Sequence, residues 1–143
     1  IRGRGGICLT DKWGEGCRTN LGIMVDDFPN MFMIIGPQSP FANTPPVIEN
    51  VVAWITKTIR AVLGASKTTI EPKEQAVDRW DSNIQELFKN TLFSAGADTG
   101  AWFLGVNIPG RSPSVLFHFG GTNAYFADLD DALSRNLEDF ILR

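Results

Sequence analysis

The sequence contains few of the residues that build metal sites and disulfides. It has one histidine and two cysteines among 143 residues. Cys8 and Cys17 are not spaced as a CxxC pair, and His118 alone cannot complete a tetrahedral zinc site with them. We therefore expect no metal site. We also expect reduced thiols, as is typical of a cytoplasmic protein, with a disulfide as the alternative.

Positive charge and long apolar runs are also scarce. The chain has 13 Lys and Arg against 16 Asp and Glu, a formal net charge of -3, so it offers no basic field for nucleic acid. Apolar runs such as MFMIIG, residues 31–36, fall far short of the roughly 20 residues that span a bilayer. The chain begins with Ile1 in a glycine-rich run, and we expect it to be part of a longer polypeptide.

Hydrophobic patterns predict alternating strands and helices. LGIMV (21–25) and MFMIIG (31–36) have the composition of strands on either side of a turn. The second is apolar on consecutive residues and is therefore expected to be covered on both faces. KTTIE (67–71) predicts an edge strand, and VLFHF (115–119) predicts another short one.

Apolar residues recur at the helical period in three places. One helix is expected to start at Pro45 with Thr44 as its N-cap, and the last helix is expected to be capped by Thr122. The predicted apolar face of the first helix contains Val47, Ile48, Val51, Val52, Ile55, Ile59, Val62 and Leu63. The face of the second contains Ala76, Val77, Trp80, Ile84, Leu87 and Phe88.

The junction between MFMIIG and the first helix is a candidate ligand site. A helix N-terminus directs backbone N–H groups and a positive dipole end outwards. Pro45 and Pro46 have no N–H, so the free donors would be the amides of Asn43 and Thr44. This arrangement suits the polar edge of a flat heterocycle better than a triphosphate. Spacing alone favours the simpler interpretation, in which the prolines only end a strand and start a helix.

The segments LGIMVDDFPNMFMIIGPQSPFANTPPVIENVVAWI, AWFLGVNIPGR and LFHFGG, in this order, resemble the C-terminal part of Baeyer–Villiger monooxygenases, flavoproteins related to cyclohexanone monooxygenase. The resemblance runs from about Gly3 to Phe140. It implies an α/β fold, the incomplete C-terminal portion of a discontinuous FAD-binding Rossmann-like domain. It also implies a cytoplasmic enzyme that uses FAD, NADPH and O2 to convert a ketone into an ester or lactone through a C4a-peroxyflavin.

On this resemblance the whole chain, residues 1–143, is one segment of the FAD domain with four parts. Residues 1–66 would hold the last core strand and the flavin-facing helix, and residues 67–93 a strand and an amphipathic helix. Residues 94–114 would form a mobile cofactor loop, and residues 115–143 a terminal strand and helix.

The resemblance also assigns site residues near the flavin. Thr44 would contact FAD through its backbone, and Asn43 beside it is a further cofactor-binding candidate. Phe41, Ala42 and Asn43 would line the substrate side. Phe117 would border the substrate cavity, together with its neighbours His118 and Phe119.

The resemblance assigns Trp102 to NADP. A tryptophan suits this role, because a large planar group with one N–H can cover a ribose and bond its hydroxyl. Ordinary core filling is the alternative for a tryptophan. Two neighbours depart from the family pattern: Arg111 replaces a lysine, and Ala101 replaces a commonly polar residue. No catalytic residue is assigned, since the family's active-site arginine and its glycine-rich nucleotide motifs are not in this sequence, and we expect the isolated chain to be inactive.

Two other functions remain open at this point. A flavin N- or S-oxygenating monooxygenase shares the two-dinucleotide architecture. A non-enzymatic binding or assembly module with an aromatic-rich face is a different class.

Overall fold

The computed structural model describes residues 1–99, 101–107, 109 and 112–143, and leaves out the side chains of residues 96–99. The helices in this part are α1 Leu9–Lys12, α2 Thr44–Gly64, α3 Glu74–Lys89 and α4 Thr122–Ser134. The strands are β1 Ser39–Pro40, β2 Ile70–Pro72, β3 Phe117–His118 and β4 Phe140–Leu142. Short 3-10 helices cover Arg4–Gly6, Leu92–Thr99 and Trp102–Leu104.

The strands form two small sheets. β1 and β3 are parallel, with Ser39 opposite Phe117 and Pro40 opposite His118. β2 and β4 are antiparallel. Glu71 lies in this pair, and its buried carboxylate accepts hydrogen bonds from Arg4 and Arg143. Helices therefore alternate with short strands, as the predicted α/β class requires.

The helices enclose one apolar core, and two buried polar side chains fix their positions. The Trp54 indole Nε1 on α2 donates to the Leu129 carbonyl on α4 at 2.9 Å. The Tyr125 hydroxyl on α4 donates to the Leu21 carbonyl at 2.8 Å. Burial raises the pKa of the Tyr125 hydroxyl, so it remains a neutral donor at physiological pH.

The predicted strand at residues 21–25 is wrong, because this segment is a tight turn. Leu21 and Gly22 both have positive φ, as the two central residues of a type I′ turn do. Asn20 then pairs with Met24 across the turn. A Cβ on Gly22 would lie 2.8 Å from the Ser39 nitrogen, so glycine also permits the turn to approach β1.

The predicted strand at residues 31–36 is also wrong. Ile35 has a φ of 57°, which interrupts the extended backbone. The Met33 N–H bonds the Ile23 carbonyl at 2.8 Å, but no ladder forms among the described residues. Ile34 is 51% exposed, so the segment is not covered on both faces either.

The predicted helices are present with small shifts at their starts. Thr44 and Thr122 are the first helical residues rather than the N-caps, and the N-cap positions belong to Asn43 and Gly121. No side-chain capping bond fixes either boundary. The strand predicted in KTTIE is observed slightly later in the chain, as β2. The strand predicted in VLFHF is shorter, with only the two residues of β3.

The apolar face predicted for α2 is only half covered. Val47, Val51 and Val62 are buried together with Trp54 and Thr58. Ile55 is half-buried against the core, and the remaining four positions of the predicted face are exposed, namely Ile48, Val52, Ile59 and Leu63. We call these four residues the α2 apolar stripe, since they fall on one side of the helix at 3.6 residues per turn.

No helix among the described residues is long and apolar enough to cross a membrane. Cys8 is half-buried and Cys17 is buried, and no disulfide joins them.

Candidate functional site

An open cavity of about 300 Å³ lies at the N-terminus of α2. Its lining is mostly apolar and consists of Ile35, Pro40, Phe41, Ala42, Thr44, Val47, Trp102 and Phe117. Residues from four separate segments meet here because the β1–β3 pairing brings residues 39–44 beside residues 117–118. The volume is within the range of small-molecule pockets.

Most of the site residues predicted from the sequence lie around this cavity. Phe41, Ala42, Thr44, Trp102 and Phe117 are all in its lining. Asn43 is not among the lining residues, although both of its neighbours in the chain are and its own side chain is exposed.

Sequence reasoning missed three lining residues, Ile35, Pro40 and Val47. The dipeptide Ile35–Gly36 just before the turn was the available signal for the first of these. Arg111, where a lysine is expected, lies outside the described residues. Ala101 is described and half-buried.

The start of α2 offers backbone donors beside the cavity, where Thr44 is in the lining and Asn43 precedes it. Within the described part of the chain, no acceptor is bonded to the N–H groups of Asn43 and Thr44. Pro45 and Pro46 occupy the first turn and contribute no N–H. The positive end of the 21-residue helix α2 is therefore presented to the cavity edge through only a few free donors.

Aromatic rings build the opposite wall. The Phe41 ring lies 5.3 Å from the Phe117 ring and 5.9 Å from the Phe93 ring, centroid to centroid. Trp102 contacts Phe117 edge-on at 5.4 Å. Phe41 is nevertheless 47% exposed and Trp102 is 56% exposed. Trp102 is therefore not core filling, and its ring is available to a ligand.

The expectation that His118 borders the cavity is wrong. Side chains alternate along a strand, and His118 points away from the Phe117 side into the interior, where it is 1% exposed. Its ring stacks on Trp80 with centroids 5.5 Å apart. Burial lowers the pKa of His118, and the Asp128 carboxylate at 3.7 Å does not offset this. His118 is a neutral packing residue behind β3.

These residues fit one part of a flavin site. A flat ring with a polar edge matches an apolar wall that includes Thr44, whose backbone N–H is unbonded among the described residues. The chain holds nothing comparable for a dinucleotide phosphate, because its sequence has no glycine-rich nucleotide fingerprint.

Known proteins with similar sequences share this whole region. The chain is 42% identical over 142 residues to the phenazine N-monooxygenase PhzNO1 of Lysobacter antibioticus, covering 99% of this chain and 26% of that protein. It is 42% identical over 125 residues to a Baeyer–Villiger monooxygenase of Pseudooceanicola batsensis, covering 87% and 22%. This chain is homologous to the Baeyer–Villiger monooxygenases. No family model matches it.

Solved structures share the fold over the full length of this chain. A closed crystal structure of cyclohexanone monooxygenase matches with a TM-score of 0.94 and 38% identity, covering 100% of this chain and 26% of that one. A structure of OTEMO in complex with FAD and NADP matches with a TM-score of 0.86 and 28% identity, covering 100% and 27%. The chain thus spans about a quarter of the length of the relatives that it matches.

Proposed function

We propose that this chain is the C-terminal segment of an FAD- and NADPH-dependent Baeyer–Villiger monooxygenase that oxidises a ketone to an ester or lactone with O2. The observation that carries the proposal is the convergence of five family-assigned residues on one open cavity at the α2 N-terminus. When bound, the flavin supplies the activation of oxygen, and the protein supplies position and electrostatics.

In this proposal, the start of α2 holds the polar edge of the flavin ring. The Asn43 and Thr44 N–H groups donate to it, and the helix dipole stabilises the negative charge that this edge carries in the reduced state. The dipole interaction is worth roughly 0.3–2 kcal/mol, which tunes a bound cofactor but does not bind it. Phe41, Ala42 and Phe117 form the apolar wall on the ketone side and exclude water from it.

Trp102 is proposed to contact the nicotinamide cofactor. Its exposed ring is held at the rim of the cavity by edge contacts with Phe103 and Phe117, and its indole N–H can bond a ribose hydroxyl. The 3-10 helices Leu92–Thr99 and Trp102–Leu104 carry this part of the rim. The mobility expected for residues 94–114 remains a prediction.

The exposed apolar surface supports the view that other polypeptide completes the site. Residues 31–36 lack a strand partner among the described residues, and the α2 apolar stripe lacks a cover. Contiguous exposed apolar side chains of this kind usually mark an interface. We propose that the remaining three quarters of a monooxygenase-length protein cover both. The location that goes with this function is the cytoplasm.

N-oxygenation is the second candidate, because the phenazine N-monooxygenase matches 99% of the chain at 42% identity. The same cavity would then present an aromatic nitrogen, rather than a carbonyl carbon, to the oxygen-activating cofactor. Its aromatic lining would stack well on a planar heterocycle.

A chimera tests the proposal. In it, this chain replaces the matching segment of the Pseudooceanicola batsensis Baeyer–Villiger monooxygenase. We expect the purified chimera to contain FAD and to convert cyclohexanone to its lactone with consumption of NADPH. Conversion of phenazine to its N-oxide, with cyclohexanone untouched, would favour the second candidate. A folded chimera without FAD would contradict both.

A further inference from the structure

Gln38 is buried completely and has an unusual backbone conformation. It lies directly before β1, its side chain is 0% exposed, and its φ is 69°. A non-glycine residue in the left-handed region persists only where its surroundings hold it there. Four of the six residues that follow it line the cavity, namely Pro40, Phe41, Ala42 and Thr44.

The Gln38 side chain makes hydrogen bonds to two separate segments. Its Oε1 accepts from the Thr19 backbone N–H at 3.1 Å, and the Thr19 hydroxyl lies 2.9 Å away. Its Nε2 donates to Asp81 Oδ1 on α3 at 2.7 Å. These partners leave one choice for the amide orientation, because an N–H can only donate and a carboxylate can only accept.

The backbone of Gln38 is tied to the other side of the cavity. Its N–H donates to the Leu116 carbonyl at 2.7 Å. Leu116 precedes Phe117, whose ring contacts both Phe41 and Trp102. One residue thus joins Thr19, α3 and β3 at the point where the chain enters the cavity wall.

We propose that Gln38 is a positioning residue. It fixes the position of residues 39–44 relative to Trp102 on the other side of the cavity. The proposal rests on the proposed function only for its effect on turnover. A buried carboxamide suits this role because it both donates and accepts, so each bond is directional. The polar chain continues to the surface, since Arg18 Nε lies 3.9 Å from the other oxygen of Asp81.

Exchanging the amide and the carboxylate between Gln38 and Asp81, whose side chains lie 2.7 Å apart, tests the role directly. Gln38→Glu places a second carboxylate against Asp81 and removes the donor. Asp81→Asn restores a donor, so the double variant regains one charge-assisted bond with donor and acceptor exchanged. Asp81→Asn alone keeps an acceptor for Gln38. Val62→Ala, in the core at the far end of α2, is the control for general destabilisation.

The first readout needs no cofactor. We expect Gln38→Glu to shift the Trp102 signal in the 19F NMR spectrum of the 5-fluorotryptophan-labelled chain, and Asp81→Asn to restore it in the double variant. The chemical shift of the Trp54 signal should not change in the Gln38→Glu variant or in the double variant. A Trp102 signal that is unmoved by Gln38→Glu, or moved equally by Val62→Ala, would overturn the proposal.

The second readout uses the chimera. We expect Gln38→Glu to lower the lactone formed per NADPH consumed by about tenfold, because small displacements of a reacting group are costly, with recovery in the double variant. We expect Val62→Ala to lower thermal stability without changing the lactone formed per NADPH consumed. The same result for Gln38→Glu would show that Gln38 has only a structural role. An inactive parent chimera would instead contradict the proposed function, and the 19F result would still decide the role of Gln38.

Discussion

Phe41 and Trp102 meet at the mouth of the cavity, with ring centroids 6.5 Å apart. The first residue precedes the α2 N-terminus and the second is in a 3-10 helix more than fifty residues later in the chain. Their contact joins the proposed ketone side of the site to the proposed nicotinamide side. Each ring is about half exposed, so both can touch a ligand.

Replacement of Trp102 by alanine should impair the use of NADPH. We expect Trp102→Ala in the chimera to raise the KM for NADPH about tenfold, the loss of one good aromatic contact, and to increase release of hydrogen peroxide. FAD content should remain near normal. Trp13→Ala, at a tryptophan outside the cavity lining, is the control and should change neither. Loss of FAD with NADPH affinity retained would show that Trp102 is assigned to the wrong cofactor.

The 143-residue chain by itself should not retain FAD. It offers one apolar wall and a few backbone donors, and these interactions are too weak to hold a dinucleotide. The purified chain is expected to be colourless after incubation with FAD and gel filtration. A stoichiometric yellow complex would contradict this.

Charge on the α2 apolar stripe should prevent assembly without unfolding the chain. Ile59 is 41% exposed, so Ile59→Lys should leave the melting temperature of the 143-residue chain within a few degrees of the parent value. In the chimera, the same change should reduce FAD incorporation, because the lysine would be buried against the host polypeptide. Ala53→Lys, at an exposed position roughly 110° around the same helix from the centre of the stripe, is the matched control. Equal FAD contents in the two variants would show that the stripe is not an interface.

His118 should make the chain less stable in mild acid. Its pKa is lowered by burial, so the unfolded chain binds the proton more readily. The stabilisation from neutral His118 is complete above the ordinary value of 6.5 and is lost as pH falls through the lowered folded value.

The measurement for this prediction is urea unfolding of the chain at pH 7 and pH 5. His118 is the only histidine, so His118→Phe, which keeps a ring against Trp80, should be less sensitive to this change. If parent and variant lost the same free energy of unfolding between the two pH values, His118 would not be the titrating group.

Helices were predictable from the sequence, but strand pairing was not. The 3.6-residue period indicated α2, α3 and α4, and the starts predicted for α2 and α4 are each one residue from the observed ones. This period is readable because burial of one helix face imposes it locally. The segments at 21–25 and 31–36 have strand composition, yet positive φ at Leu21 and Ile35 breaks the extended backbone. Composition does not report φ, and apolar runs cannot specify partners that lie elsewhere.

The cavity was predictable only in part. The resemblance selected Phe41, Ala42, Thr44, Trp102 and Phe117, which the structure brings together. It also placed His118 beside the cavity, where strand alternation turns the ring inwards. Gln38 gave no signal, because a lone glutamine in a turn looks like a solvated residue until its buried partners are known.

The central claim is that the start of α2 faces the flavin edge, and the reduction potential of the chimera's FAD measures this most directly. Thr44→Asp adds a negative charge at the first helical residue, where acidic residues also stabilise a helix. An interaction of about 1 kcal/mol should lower the two-electron potential by about 20 mV, since reduction adds negative charge to the flavin. Thr56→Asp, three turns along the same helix, should leave it unchanged. An unchanged potential in a Thr44→Asp variant with full FAD content would contradict the account.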